Sequence, residues 1–489
     1  MLLLLLAQAC GQAAPTIPPT LTPLSLPTLA PTASPTPDPN ATPLPGREAF
    51  GVGTHLPYET QTGDTLIAIA AHFNTTPEEV WTLNPTLSPT ATLAAGQALT
   101  IPAYWFPLGG SPYKIIPDAD FVFGPTSVDF DIDAYLDAQP GYLRDMPQFV
   151  AGRQRSAGQA IMYVAQTYSV NPRLLLALME WRTGALTQPD VPAEVRRDPL
   201  GDLGRVHGLY SQLAWAAEQM SIGYYGWRTG QLTSLRLLDS LTSRVDMYQT
   251  AGTVGVQYLF AQLFNYDEFL AATGPQGFGA TYIRLWGRPF DRSLTELEVI
   301  PGDFAQPDFA LPFLANEVWS YTGGPHPGWG DNLPWAALDF APAGAAGCAA
   351  TARMVGAVAA GLVVRSEGNI VVLDLDGDGH EETGWVLFHL HIGDAGAVAV
   401  GTRVAAGDPL GHPSCEGGRV TGAHVHIARK YNGEWIPADG LLPGLVPFNL
   451  GGWIAARGDE PYQGRMMRLG AWVEACTCST ALNTVYWFK

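Results

Sequence analysis

Four stretches of this chain carry side chains suited to holding a metal ion. Thr421-Gly422-Ala423-His424-Val425-His426-Ile427 sets two histidines in alternation with apolar residues. Residues two apart on a β-strand point to one face, so both imidazoles aim at one spot, which suits a metal ion and its water. Upstream lie His326, the segment Ala337-Leu338-Asp339-Phe340-Ala341-Pro342, and His389-Leu390-His391. One buried histidine is usually a satisfied core residue, but these histidines and an aspartate in this order are hard to assign to packing.

The elements that must position these groups are short strands. From about residue 316 the texture is Val/Ala/Gly-rich, as in Met354–Val364, Ile370–Leu375, Trp385–Ile392, Val404–Leu410 and His424–Arg429. Glycine turns without a helical period predict an antiparallel β domain over 316–455, with 456–489 as a C-terminal extension. Asp374-Leu375-Asp376-Gly377-Asp378-Gly379-His380-Glu381-Glu382 begins like an EF-hand loop, but Trp385 stands where the closing Glu belongs. Two readings stay open there: calcium held by Asp374, Asp376, Asp378 and Glu382, or a solvated acidic hairpin tip.

Residues 110–310 read as helical. Ile161, Val164, Ala165 and Tyr168 recur at helical spacing, and Asn171-Pro172 opens a second helix. Residues 55–103 read as strand, helix, helix, strand, with Asp64 capping a helix that carries Leu66, Ile69, Ala70 and Phe73. Residues 13–50 are a Pro/Thr-rich spacer, semi-rigid and disordered. The predicted fold is multi-domain α+β.

The β region resembles the lysostaphin/LytM-type metallopeptidases (peptidase family M twenty-three). Gly323-Gly324-Pro325-His326, Ala337-Leu338-Asp339-Phe340-Ala341-Pro342, the turns ending at Gly401, Gly407 and Gly411, and Thr421-Gly422-Ala423-His424-Val425-His426 carry the likeness. It implies zinc ligands at His326, Asp339 and His426, with His424 as acid/base or oxyanion partner. Spacing to Gly401 favours His391 as the remaining family histidine, with His389 on the same face and also in reach of the site. The chain departs at one point: His326 and Asp339 lie thirteen positions apart, where the family usually has about four. Asp331 is therefore a rival ligand, and the extra residues, including Trp329 and Trp335, would loop out near the groove.

Tyr58 to Pro102 resembles a LysM domain, which implies binding of N-acetylglucosamine-containing glycan such as peptidoglycan. Its groove would be formed by Gly63, Asp64, Thr65, Leu66, Asn84 and Pro85. Tyr168–Leu178 and Gly208-Leu209-Tyr210-Ser211-Gln212 resemble lysozyme-like transglycosylases, but Arg182-Thr183-Gly184 stands where that family has Glu-Ser-Gly. An arginine holds its proton and cannot act as the acid. Glu180, two residues earlier on the other helix face, is the candidate for a relocated acid.

Residues 1–12 look like the end of a lipoprotein signal, with Cys10 as the lipidated residue and a spacer behind it. A net charge of −19 disfavours nucleic acid and an electrostatic hold on a membrane, leaving a lipid anchor as the membrane contact. Cys348, Cys415, Cys476 and Cys478 suit disulfides of an exported chain, in any of three pairings. These readings converge on an extracellular or envelope-bound zinc endopeptidase of peptidoglycan, oligomeric state open. The alternatives are a non-catalytic wall-binding or amidase-activating protein, and a lytic transglycosylase acting through Glu180.

Overall fold

Each of the three blocks forms from local signals and is then tied to the others by buried polar contacts. The computed structural model describes residues 50–87, 92–104, 110–344, 347–418, 420–439 and 446–487, all within one packed unit. Cys10, the signal-like segment 1–12 and the spacer up to residue 49 lie outside the described residues. Among the described residues, no helix is long and apolar enough to cross a membrane.

In the first block, strands β1 (Thr54–Glu59) and β2 (Ala98–Ala103) pair antiparallel around helices α1 (Leu66–Phe73) and α2 (Pro77–Leu83). Thr65, not Asp64, caps α1 by accepting from the Ala68 amide. The Asp64 carboxylate instead accepts from Gln61 N and the Tyr58 hydroxyl, which leaves the shorter Thr65 side chain at the helix end.

In the second block, α3 (Ala157–Tyr168) starts at a Ser156/Gln159 capping box, and α4 (Pro172–Thr183) at Asn171 with proline in its first turn. Ile161, Val164 and Ala165 are fully buried, as their spacing predicts. The long helix α5 (Leu209–Arg228) packs on α6 (Ala251–Leu263) at the centre.

The third block is a nine-stranded antiparallel sheet. Its strands are β3 (Val318–His326), β4 (Ala337–Pro342), β5 (Gly361–Glu367), β6 (Ile370–Asp374), β7 (Trp385–Leu390), β8 (Arg403–Val404), β9 (Val425–Tyr431) and β10 (Thr484–Tyr486). Their order is β8-β5-β6-β7-β9-β4-β3-β10, with Glu434–Trp435 folding back on β9. A four-stranded sheet built from Asn449–Leu450, Trp453–Arg457, Gly464–Arg468 and Ala471–Glu474 shares its core. The boundary drawn after residue 455 thus falls inside a strand, and residues 456–489 supply both two strands of this sheet and the edge strand β10.

Arg228 joins the three blocks. Its buried guanidinium pairs with Glu434 at 2.7 and 2.8 Å and with Asp118 at 3.1 Å, and it donates to the Thr62 carbonyl. Asp118 belongs to the helical block, Glu434 to the β block and Thr62 to the first.

Candidate metal centre

Register brings the ligating groups together. β9 lies between β7 and β4, with His426 opposite Asp339 and Leu390, and Asp339 opposite Gly323 at the end of β3. Directly paired residues share a face, so His426 and Asp339 meet, and His326 closes the group at the end of β3. His326 Nε2, His426 Nδ1 and Asp339 Oδ1 lie 3.0, 3.2 and 3.4 Å from one another. All three residues are buried.

The other ring nitrogens are already engaged. His326 Nδ1 lies 2.7 Å from the Gly324 carbonyl and His426 Nε2 lies 3.1 Å from the Gly328 carbonyl. A carbonyl can only accept, so each imidazole proton sits on the outward nitrogen and each inner nitrogen presents a lone pair. Asp339 Oδ1 is buried and has no hydrogen-bond partner among the described residues. Three inward lone pairs without a proton between them call for a cation. Tetrahedral zinc with ligand bonds of ~2.0–2.1 Å places its ligands about 3.3 Å apart, which these separations match. Burial alone would raise the Asp339 carboxyl, but His326 and His424 outweigh it and hold it well below the usual carboxylate range. Burial likewise holds His426 neutral by lowering it. Both groups are therefore in the state a ligand needs.

Asp331, the rival ligand, lies outside this group: its backbone amide is bound to Glu218 on α5, 2.9 Å away, and its side chain is exposed. The extra residues between His326 and Asp339 do not hang over the groove. Trp329 stands edge-on to Tyr168 of the helical block and to Phe388.

The two remaining histidines part company. β7 ends at Leu390, and His391 takes a left-handed φ of 66°, which breaks the alternation that placed His389 and His391 together. His391 turns into the site, 4.6 Å from the ring of His424, with Nδ1 donating to the Glu416 carbonyl at 2.6 Å. His389 pairs with Val371 and Ile427, on the face opposite His426, and is fully buried. It is a core histidine and does not line the groove. Burial, then the neighbouring His424, lowers His391 to about 4. His424 Nδ1 donates to the Gly422 carbonyl, and its Nε2 lies 3.7 Å from Asp339 Oδ2.

A groove of about 440 Å³ opens onto this cluster, walled by small residues such as Ala341, Gly347, Thr421, Gly422 and Ser479. Its rim includes Tyr462, whose half-exposed ring stacks on His326 at 4.1 Å. Sequence reasoning missed Tyr462. It sits in a Gly/Pro-rich turn about 136 positions from His326, and only the second sheet brings it there. The disulfide Cys348–Cys415 ties one wall to the loop that holds His391, and Cys476–Cys478 closes the second pair.

The other candidate sites look different. Asp374 accepts from the amides of Asp376, Gly377 and Gly379, and Asp378 from His380 N and the Thr383 hydroxyl. These carboxylates are occupied in shaping their own turn, and Glu382 stands outside the Asp374, Asp376, Asp378 group. Asp374, Asp376 and Asp378 nevertheless lie close enough to share a cation, so the calcium and the acidic hairpin-tip readings both stand for this turn. Glu180 is buried, accepting from Leu186 N and the Thr187 hydroxyl and pairing with Arg284 at 3.1 Å, so it staples a turn. The expected glycan loop is covered: Thr62, Gly63, Asp64 and Thr65 are buried, and the Thr62 hydroxyl engages the backbone of Val299 and Ile300. Asn84 is buried too, bonded to Val80 and Thr100, while Pro85 is exposed.

Residues 58–102 match the family model of the LysM domain, and residues 114–298, the helical block, match that described as LasA, N-terminal domain. The chain is 27% identical over 350 residues to Protease LasA of Pseudomonas aeruginosa strain PAO1, covering 68% of this chain and 77% of that protein. Its counterpart in strain UCBPP-PA14 is also 27% identical, over 357 residues, with 68% and 78% covered. Among solved structures it is similar to pseudoalterin, an M23 metalloprotease from the deep sea, at 22% identity, 35% of this chain, 96% of that one and a TM-score of 0.29. Lysostaphin from Staphylococcus simulans gives 19% identity, 35%, 81% and a TM-score of 0.19.

Proposed function

We propose that the chain is a zinc metalloendopeptidase that cleaves stem or cross-bridge peptides of peptidoglycan outside the cell, with the LysM domain as its link to glycan. One observation carries the reading: the unpartnered, buried Asp339 oxygen held between two imidazole lone pairs, at the floor of an open groove. His326, Asp339 and His426 would hold the zinc. When bound, zinc supplies a Lewis acid for the scissile carbonyl and a water acidic enough to attack at neutral pH.

The chain's own groups do the rest. The groove seats an extended peptide against small side chains, and Tyr462 shields one face of His326. With its Nδ1 proton committed to Glu416, His391 presents Nε2 as an acceptor for a proton from the attacking water, and can return it to the leaving amine. His424, fixed by Gly422, offers the second polar edge beside the reacting carbonyl. Export fits the paired cysteines, and a lipid on Cys10 would hold the enzyme at the surface.

Zinc analysis and muropeptide analysis of one purified sample test this. Uncross-linked or shortened muropeptides with one zinc per chain are expected; anhydro-sugars, or no products, would end the peptidase reading. Asp339→Asn should abolish zinc retention and cleavage while Asp331→Asn leaves both largely intact.

A further inference from the structure

His426 depends on a carbonyl that is itself held by another domain. The Gly328 oxygen that accepts from His426 Nε2 lies in the segment between β3 and β4. That segment turns away from the groove onto the helical block. One oxygen of Glu218, on α5, accepts from the Asp331 amide and from the Asn332 side chain, each at 2.9 Å. A Cβ on Gly330 would lie 3.2 Å from this same oxygen, so the turn fits closely against it; its φ of 74° also asks for glycine there. Trp329, next to Gly328, stands edge-on to Phe388 at 5.9 Å, and Phe388 is edge-on to His426 at 6.4 Å.

We infer that Glu218 of the helical block is a positioning residue for the metal centre: it fixes the 328–332 turn, and through the Gly328 carbonyl it sets the tautomer and tilt of His426. The inference rests on reading His326, Asp339 and His426 as zinc ligands. Groups that orient a ligating histidine typically change metal affinity by 10–100-fold. Glu218 acts one contact further out and belongs at the low end.

The test is zinc affinity of the full chain, by competition with a chromophoric chelator, for wild type, Glu218→Ala, Glu218→Gln and Asn332→Ala. Glu218→Ala should bind zinc about tenfold more weakly, with the melting point of the zinc-free protein little changed. Glu218→Gln, whose amide oxygen can still accept both contacts, should stay within about twofold. Asn332→Ala, on the exposed turn, keeps the protein folded and should lose about threefold. Unchanged affinity in Glu218→Ala or Asn332→Ala overturns the inference, as does a glutamine variant as weak as alanine. His426→Ala in the same titration separates the two levels. If it retains tight zinc, the ligand reading fails; if it loses zinc while Glu218→Ala does not, only the positioning role fails.

Discussion

Two histidines separated by one leucine behave as different kinds of residue. His389, buried and bonded to the Val371 carbonyl, is lowered to about 4 by its burial. Its folded value lies below that of the unfolded chain, so as pH falls through 6.5 the unfolded state takes up the proton first. The stability it contributes is present above about pH 6.5 and is lost as pH falls to about 4, on the order of 3 kcal/mol at most. Asp64 works the other way. Burial raises it to about 6, so the folded state takes up the proton first and gains stability as pH drops below that value. The informative quantity is therefore the difference between variants. In urea unfolding of chelated protein at pH 7.5 and 4.5, His389→Gln should lose less stability on acidification than wild type; an equal loss would contradict the buried, neutral assignment. His391 is lowered to about 4 as well, so His391→Ala should also soften that pH slope, and it alone of the two should reduce peptide cleavage, by about a hundredfold or more, read as kcat at saturating zinc.

The elements that hold these residues were legible to unequal degrees. Alternation in Ala337–Pro342 and in Thr421–Ile427 is a local signal; the first became a strand, and the second enters its neighbour from Val425 on, with Asp339 opposite His426 and His424 just before the strand. The helix starts at Ser156 and Asn171 are equally local. The same period-two argument misplaced His389, because it assumes the strand continues through His391, and nothing in the sequence announces a left-handed histidine. Partners supplied by distant loops were invisible: Gly328 on His426, Glu416 on His391 and Tyr462 on His326 depend on chain crossings, not on spacing. The Glu416 loop is held by Cys348–Cys415, which closes 67 residues of chain. A loop of that size makes the bond worth about 4 kcal/mol in the chain-entropy view, and its loss frees the carbonyl that orients His391. Cys348→Ser/Cys415→Ser should thus lower kcat several-fold at a temperature where the protein remains folded, with zinc content retained. Loss of zinc along with activity would show that the bond supports the ligands rather than His391.

At the scale of the whole molecule, the three blocks share one buried charge cluster, and this bears on how the LysM domain can be used. Removing one partner of a buried pair such as Arg228–Glu434 typically costs ~3–5 kcal/mol because a charge is left behind, so the blocks resist separation. The loop whose resemblance implied glycan contact is locked into the same junction: Gly63 packs on Arg228, and His72 stacks on Trp227 at 3.5 Å. Across from it, the Thr92 hydroxyl donates to the Pro301 carbonyl at 2.7 Å, and a Cβ on Gly302 would meet the Ala94 backbone at 2.7 Å. The segment Val299 to Phe304 therefore packs on the Thr62 end of the Gly63–Leu66 loop and on Thr92–Ala94. Glycan can reach the Gly63–Leu66 loop only if the segment yields, so the intact chain should bind chito-oligosaccharide weakly there. Gly302→Val, which cannot pack against Ala94 without displacement, should bind chitohexaose several-fold more tightly in calorimetry. Peptide cleavage, measured on a soluble peptide, should stay near wild type, since Gly302 packs on Ala94 and not on the metal group. If the variant gains no affinity, or wild type already binds tightly while the Val299 and Ile300 amides stay protected from deuterium exchange, glycan is held on another face of the domain, with the exposed Pro85 side as the next candidate.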